Sequence, residues 1–204
     1  MVTAHSPFQR IDILDVVDPL KLDPESYRRS LLSPSEQEGP PSYESLHSHL
    51  FLPERLVYLD GVIQSTSHGD APYHEALVHP ALFAHPNPKR VAIIGGGEGA
   101  TLREVLKHNT VEHVKMIDID EIMVRTSDVY LSGWNNCSMI EGSAPSCFDD
   151  PRAEILYEDA MAWFIDRFGV TDNERIGTEA PFDVIIMDAL DPQDTVEFAN
   201  ILYR

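Results

Sequence analysis

Residues 90–120, RVAIIGGGEGATLREVLKHNTVEHVKMIDID, pass from a short apolar run through glycines to a helical period and a second apolar run that ends in acids. The first run predicts a buried strand, and Leu102, Val105 and Leu106 predict a helix with one apolar face. Upstream, residues 8–14 (FQRIDIL) alternate as a strand does, and residues 56–59 ahead of Asp60-Gly61 supply a hairpin partner. Between them, residues 16–54 hold six prolines and no sustained period, which predicts a surface insertion in the hairpin. Residues 73–84 predict a helix that Pro80 must kink or restart. Further on, the pattern predicts a helix over Glu121–Tyr130, a strand over Ala153–Tyr157 and a helix over Ala160–Phe168. In that last helix Met161, Phe164, Ile165 and Phe168 form a stripe that reads as core. Residues 169–181 read as a loop, and residues 182–187 as a strand running into Asp188. Strands alternating with helices make an α/β fold with a parallel sheet. The expected division is a β-hairpin domain over residues 1–70 and an α/β domain over 71–204.

A strand, a glycine turn, a helix and an acid-tipped second strand make up a nucleotide-binding unit. Gly95, Gly97 and Gly99 let the chain bend sharply and let a ligand approach the backbone. Gly95, Gly97 and Ala100 formally meet the dinucleotide pattern, but Glu98 would put a negative charge where a pyrophosphate lies. A cationic sulfonium nucleoside fits better, with Asp118 placed to accept from both ribose hydroxyls. The plainer alternative for Asp118 and Asp120 is a solvated strand end or a helix cap, and Asp120 suits the cap.

Charge and composition narrow the partners. With 34 acidic residues against 15 Lys and Arg, the net charge of −19 disfavours nucleic acid and anionic membranes and favours cations. A hydrophobic fraction of 43% over 204 residues suffices for a core. Cys137 and Cys147 read as two free thiols of a cytoplasmic protein, with a disulfide between them as the alternative. His68, His74, His79 and His85 crowd one region without a ligand spacing, so no metal is expected. No apolar run reaches the length of a membrane span.

Six stretches, in order, carry a resemblance: LDGVIQST (59–66), APYHE (71–75), HPNPKRVAIIGGGEGATLREVLKH (85–108), IDID (117–120), DDPRAEILYEDA (149–160) and FDVIIMDALDP (182–192). Together they resemble the spermidine synthase family of polyamine aminopropyltransferases. The resemblance implies a small N-terminal β-hairpin domain followed by a Rossmann-like domain of the class I methyltransferase type. It implies decarboxylated S-adenosylmethionine as co-substrate, a polyamine such as putrescine or spermidine as acceptor, no further cofactor, and a homo-oligomer when complete.

On this resemblance Asp188 is the catalytic carboxylate, and Tyr73 and Asp191 join it in holding the amine. Gln9, Gln64, His74, Glu98, Asp118, Asp159 and Ala160 join the glycine turn around the donor, with Gln64 reading equally well as a hairpin residue. For Asp188 and Asp191 the alternative is turn formation ahead of Pro192. The sequence departs from the family pattern in having Glu98 where Asp is usual and Ala189-Leu190 where two serines are common. The apolar pair resembles the branches that make spermine or thermospermine, which leaves the acceptor open. The chain stops shortly after the strand ending in Asp188, so the expectation is a truncated or partial member, aggregation-prone and without turnover when isolated. A non-catalytic nucleoside-binding or interaction fragment of the same family and an S-adenosylmethionine-dependent methyltransferase are the rival readings.

Overall fold

The computed structural model describes residues 1–16, 53–171, 174–175 and 179–189. The insertion read at residues 16–54 falls almost entirely outside these, as do Leu190 and Asp191. The chain divides into two compact units, Met1–Thr3 with Gln9–His68, and Ala4–Phe8 with Gly69–Arg204.

Strands β1 (Val2–His5), β2 (Arg10–Val16), β3 (Glu54–Leu59) and β4 (Val62–Thr66) form one sheet in that order. β2, β3 and β4 pair antiparallel, with Ile11 opposite Leu59 and Leu59 opposite Val62. Asp60 and Gly61 both take positive φ, 50° and 81°, as a two-residue hairpin turn between right-twisted strands requires. The Asp60 carboxylate also accepts from the Arg10 amide at 2.8 Å, tying the turn to β2.

The second unit is built on a parallel sheet. Strands β5 (Arg90–Gly95), β6 (His113–Asp118), β7 (Ala153–Tyr157) and β10 (Val184–Asp188) lie in the order β10-β5-β6-β7. The register sets Asp188 opposite Gly95, Ile94 opposite Ile117, and Asp118 opposite Tyr157. Val91, Ala92 and Ile93 are all fully buried, because a parallel sheet is covered on both faces. Val91, Ile93 and Met116 pack with Val78 and Leu82 of helix α1 (Asp70–Ala84) and with Leu102, Val105 and Leu106 of α2 (Ala100–Leu106). Ile117, Ile94 and Leu156 pack with Ala160, Trp163, Phe164 and Phe168 of α4 (Ala160–Phe168) and with Phe182. Helix α3 (Glu121–Tyr130) adds Val124 to the first cluster.

The first helix is continuous from Asp70 to Ala84 with Pro80 inside it, so of the two outcomes expected at Pro80 the restart does not occur. Pro80 and Ala76, whose carbonyl loses its amide partner, are both exposed, so water can satisfy that carbonyl. Three other expectations are corrected. In α4 the buried anchor is Trp163, 5% exposed, while Met161 and Ile165 are 38% and 63% exposed. Positions 160, 163, 164 and 168 share the sheet-facing side, and 161 and 165 lie about 100° round the helix. The region read as a loop contains a small antiparallel ladder between β8 (Val170–Thr171) and β9 (Glu174–Arg175).

Last, Cys137 and Cys147 are joined as a disulfide with Cα atoms 5.1 Å apart, and both are fully buried. The chain between them doubles back: the Cys137 amide donates to Pro145 and the Cys147 amide to Asn135. That fold-back brings the two cysteines within bridging distance, which their spacing alone does not reveal.

Trp163 also meets Phe164 and Phe168 edge-on and Phe182 at a tilt, and carries the Lys115 ammonium 4.9 Å from its ring centre. Trp163→Ala is expected to destabilise the second unit by about 3–5 kcal/mol, measured as a lower urea midpoint. A loss within experimental error would show that α4 is not anchored through this ring.

Candidate functional site

The strand order places a crevice. From β5 the chain winds outward through β6 to β7, and β10 lies on the other side of β5. The carboxyl ends of β5 and β10 therefore flank the point where winding reverses, where open α/β sheets bind ligands. At that point the two backbones nearly touch. A Cβ on Gly95 would lie 2.1 Å from the Asp188 carbonyl oxygen, and Gly95 has φ of 80°, so this position excludes a side chain. The Gly96 amide donates to the same carbonyl at 2.9 Å. A Cβ on Gly97 would lie 2.8 Å from the Asp118 carboxylate, so the turn and the tip of β6 are equally close.

Three carboxylates gather around this turn. Asp188 receives a hydrogen bond from the Thr101 hydroxyl at 2.6 Å. Removal from water, with Glu98 nearby, pushes its carboxyl up to about 6, against the pull of Thr101 and His74. Asp118, 8% exposed, is likewise pushed up to about 6 by burial, with Asp120 and Asp188 adding repulsion. The Asp120 amide donates to it at 2.8 Å, and the Gly97 amide also stabilises its charged form. Both groups are thus mostly ionised at neutral pH and lose their charge in mild acid.

Glu98 is half-buried and held from beneath. His74 is 1% exposed, with Nε2 2.8 Å from Glu98 Oε1 and Nδ1 2.9 Å from Asp70 Oδ1. The Glu98 contact lies off the ring N–H direction, so it is an ion pair rather than an aligned hydrogen bond. Burial opposes a charge on this imidazole, but Asp70 and Glu98 outweigh it and push His74 up to about 10. Asp70 in turn takes Arg103 at 2.9 Å, and Arg103 also donates to the Trp134 carbonyl at 2.8 Å. An ion-pair chain therefore runs from Arg103 through Asp70 and His74 to Glu98.

The remaining residues divide by position. Tyr73 is 58% exposed beside His74, with ring centroids 4.9 Å apart. Asp159 and Ala160 follow β7 at the same carboxyl edge, where Asp159 caps α4 by accepting from the Ala162 amide at 3.0 Å. Asp120 caps α3 in the same way, accepting from Ile122 and Met123. Gln9 and Gln64 belong to the first unit. Gln9 is half-buried, and exposed Gln64 donates to the Val62 carbonyl at 3.5 Å. Asp191 lies outside the described residues.

Sequence reasoning missed Gly96, Thr101, Asp70 and Arg103. Thr101 directly follows the turn, and its small polar side chain on an otherwise apolar helix face was the available signal. Asp70 and Arg103 gave none, because they meet only when α1 packs on α2.

Among the described residues, Glu75, His79 and Glu104 bring three metal-ligating atoms within 4.8 Å of one another. Glu104 already pairs with Arg103 at 2.8 Å and Lys107 at 2.6 Å, so its charge is spent on cations of the protein. Among the described residues, no helix is long and apolar enough to cross a membrane.

A glycine turn at the switch point of a parallel sheet, with acids at the tips of the adjoining strands, defines a Rossmann-like α/β domain. The family model of the spermine/spermidine synthase domain matches residues 70–201, and the chain belongs to that family. It is 49% identical over 138 residues to polyamine aminopropyltransferase 1 of Hyperthermus butylicus, covering 68% of this chain and 41% of that protein. Against the polyamine aminopropyltransferase of a Hydrogenobaculum species it is 42% identical over 168 residues, 81% of this chain and 51% of the relative. The crystal structure of spermidine synthase from Thermotoga maritima aligns with a TM-score of 0.62 at 30% identity, over 95% of this chain and 47% of that one. A spermidine synthase in complex with the transition-state analogue AdoDATO aligns with the same TM-score at 31% identity, over 94% of this chain and 47% of that chain. The chain thus spans about half the length of the relatives it matches, or somewhat less. The Rossmann-like α/β architecture expected from the sequence is the one these structures share.

The His74 ion pairs carry a pH signature. A folded-state value near 10 against an ordinary 6.5 means that the stabilisation is complete below about pH 6.5 and is lost as pH rises toward 10. The urea midpoint should therefore fall across this window, and the gap between the native chain and His74→Gln should narrow as it falls. A gap independent of pH would show that the imidazole is not charged.

Proposed function

We propose that this chain supplies the donor site and the catalytic carboxylate of an aminopropyltransferase, which moves an aminopropyl group from decarboxylated S-adenosylmethionine to a polyamine. The observation that carries this reading is the convergence of Glu98, Asp118 and Asp188 around one glycine turn at the carboxyl ends of β10, β5 and β6. Both reactants are cations, and three carboxylates against one imidazolium leave the crevice negative. The names of the relatives and of the analogue-bound neighbour point to the same chemistry.

The turn receives the nucleoside, and Asp118 at the tip of β6 accepts from its ribose hydroxyls. Glu98 draws the ammonium of the aminopropyl arm. A neutral acceptor amine then attacks the carbon bonded to the sulfonium. A C–N bond forms, the C–S bond breaks, and the electron pair stays on sulfur as methylthioadenosine departs. The new ammonium sheds a proton, which Asp188 accepts and passes to solvent. Tyr73 and Asp191 hold the acceptor beside Asp188 by proximity rather than acidity. Asp159 and Ala160 flank the adenine, and Gln9 and Gln64 are assigned to the nucleoside on the resemblance alone.

A donor that keeps its carboxylate would bring a negative charge toward Glu98. Calorimetry is expected to show tighter binding of decarboxylated S-adenosylmethionine and methylthioadenosine than of S-adenosylmethionine itself. Equal or tighter binding of the carboxylated form would remove the charge argument, and methyl transfer from labelled S-adenosylmethionine would favour a methyltransferase.

In a complete version of the protein, Asp188→Asn should keep nucleoside binding, because the nucleoside contacts lie on the turn and β6. Aminopropyl transfer should fall by roughly 100-fold or more, the scale of a positioned acid or base. Mass-spectrometric counting of methylthioadenosine and the extended amine reads this directly. Near-normal transfer by the variant would reduce Asp188 to a turn residue.

A further inference from the structure

We propose that Thr101 is a positioning residue for Asp188, its hydroxyl holding one carboxylate oxygen so that the other faces the acceptor amine. Thr101 lies in the first turn of α2, directly after the glycine turn, and is completely buried. Its Oγ1 donates to Asp188 Oδ2 at 2.6 Å, a short charge-assisted contact. Among the described residues this is the one hydrogen bond that the Asp188 carboxylate receives. Packing alone would be served by valine, which has the same shape without the hydroxyl. A helical threonine usually turns its hydroxyl back to its own helix, whereas this one is directed at another strand.

The contact completes a two-point hold on Asp188. The Gly96 amide fixes the backbone carbonyl at 2.9 Å, and Thr101 fixes the carboxyl group. Oδ2 is thereby committed, and Oδ1 is left to meet an amine and take its proton. The charged groups that face Asp188 pull in opposite directions. Glu98 in the glycine turn and Asp118 on β6 repel a second negative charge, and His74 on α1 favours it. Thr101 on α2 adds to the His74 side, so the hydroxyl also helps to keep Asp188 ionised at neutral pH.

The proposal rests on Asp188 being the amine-binding carboxylate, and its test separates the two ideas. In the 204-residue chain with ¹³C-carboxyl aspartate, the Asp188 signal is assigned by its loss in Asp188→Asn and followed against pH by NMR. Thr101→Val should raise the titration midpoint by about one pH unit, and Thr101→Ser, which keeps the hydroxyl, should stay at the native midpoint. Methylthioadenosine affinity should be unchanged in both, while spermidine affinity at pH 6 should drop in the valine variant only. An unchanged midpoint in folded Thr101→Val would overturn the proposal, as would a serine variant that shifts as far as the valine one. Where valine does not fold, Thr101→Ala against Thr101→Ser gives the same comparison. A chain that binds neither methylthioadenosine nor spermidine yet shows the predicted shift would defeat the proposed function and leave the Thr101 contact standing.

Discussion

The near-contact of two backbones at the carboxyl ends of β5 and β10 is the constraint on which the site depends. Gly95 stands directly opposite Asp188 in the register, and the carbonyl of Asp188 occupies the space where any other residue at 95 would put its Cβ. With that space open, the chain can turn away from the sheet at once, and the Gly96 amide reaches back to close the junction. The same turn sets the start of α2, which brings Thr101 to the Asp188 carboxyl group and buries Leu102, Val105 and Leu106 against the sheet. Glycine turn, Asp188 carboxylate and core helix thus share one piece of backbone geometry. The strand pairing that makes the sheet also makes the crevice.

Gathering carboxylates at such a point opposes folding, since Asp118 and Asp188 are drawn out of water toward like charges. The protein offsets part of this beneath the turn. His74, charged between Asp70 and Glu98, balances one acid from inside, and Arg103 balances Asp70 in turn while fastening the carbonyl of Trp134. These cations are enclosed beneath the turn, so the acids are anchored from within the protein. His74, assigned to the donor on resemblance, is almost wholly enclosed and pairs with Glu98. The residues flanking the Cys137–Cys147 disulfide pack at the same corner, since Asn135 and Phe148 crowd the space beside Gly99 at the start of α2.

The local period of the chain determined much of this protein by itself. The apolar run, glycine turn and helical stripe of residues 90–106, the strand that ends in Asp118 and the one that ends in Asp188 were all legible, because buried parallel strands and amphipathic helices leave their mark on neighbouring residues. The acids at the strand tips were legible for the same reason, as each directly follows an apolar run. Tertiary structure alone decided what depends on residues distant in sequence. The pairing of Arg103 with Asp70, the enclosure of His74 and the reach of Thr101 to Asp188 arise where α1, α2 and β10 meet. The disulfide depends on a fold-back that has no period, and the choice of Trp163 over Met161 as the anchor of α4 depends on which side of that helix the sheet lies. A sequence pattern records which side chains avoid water, whereas partners and protonation follow from distances that only the folded chain sets.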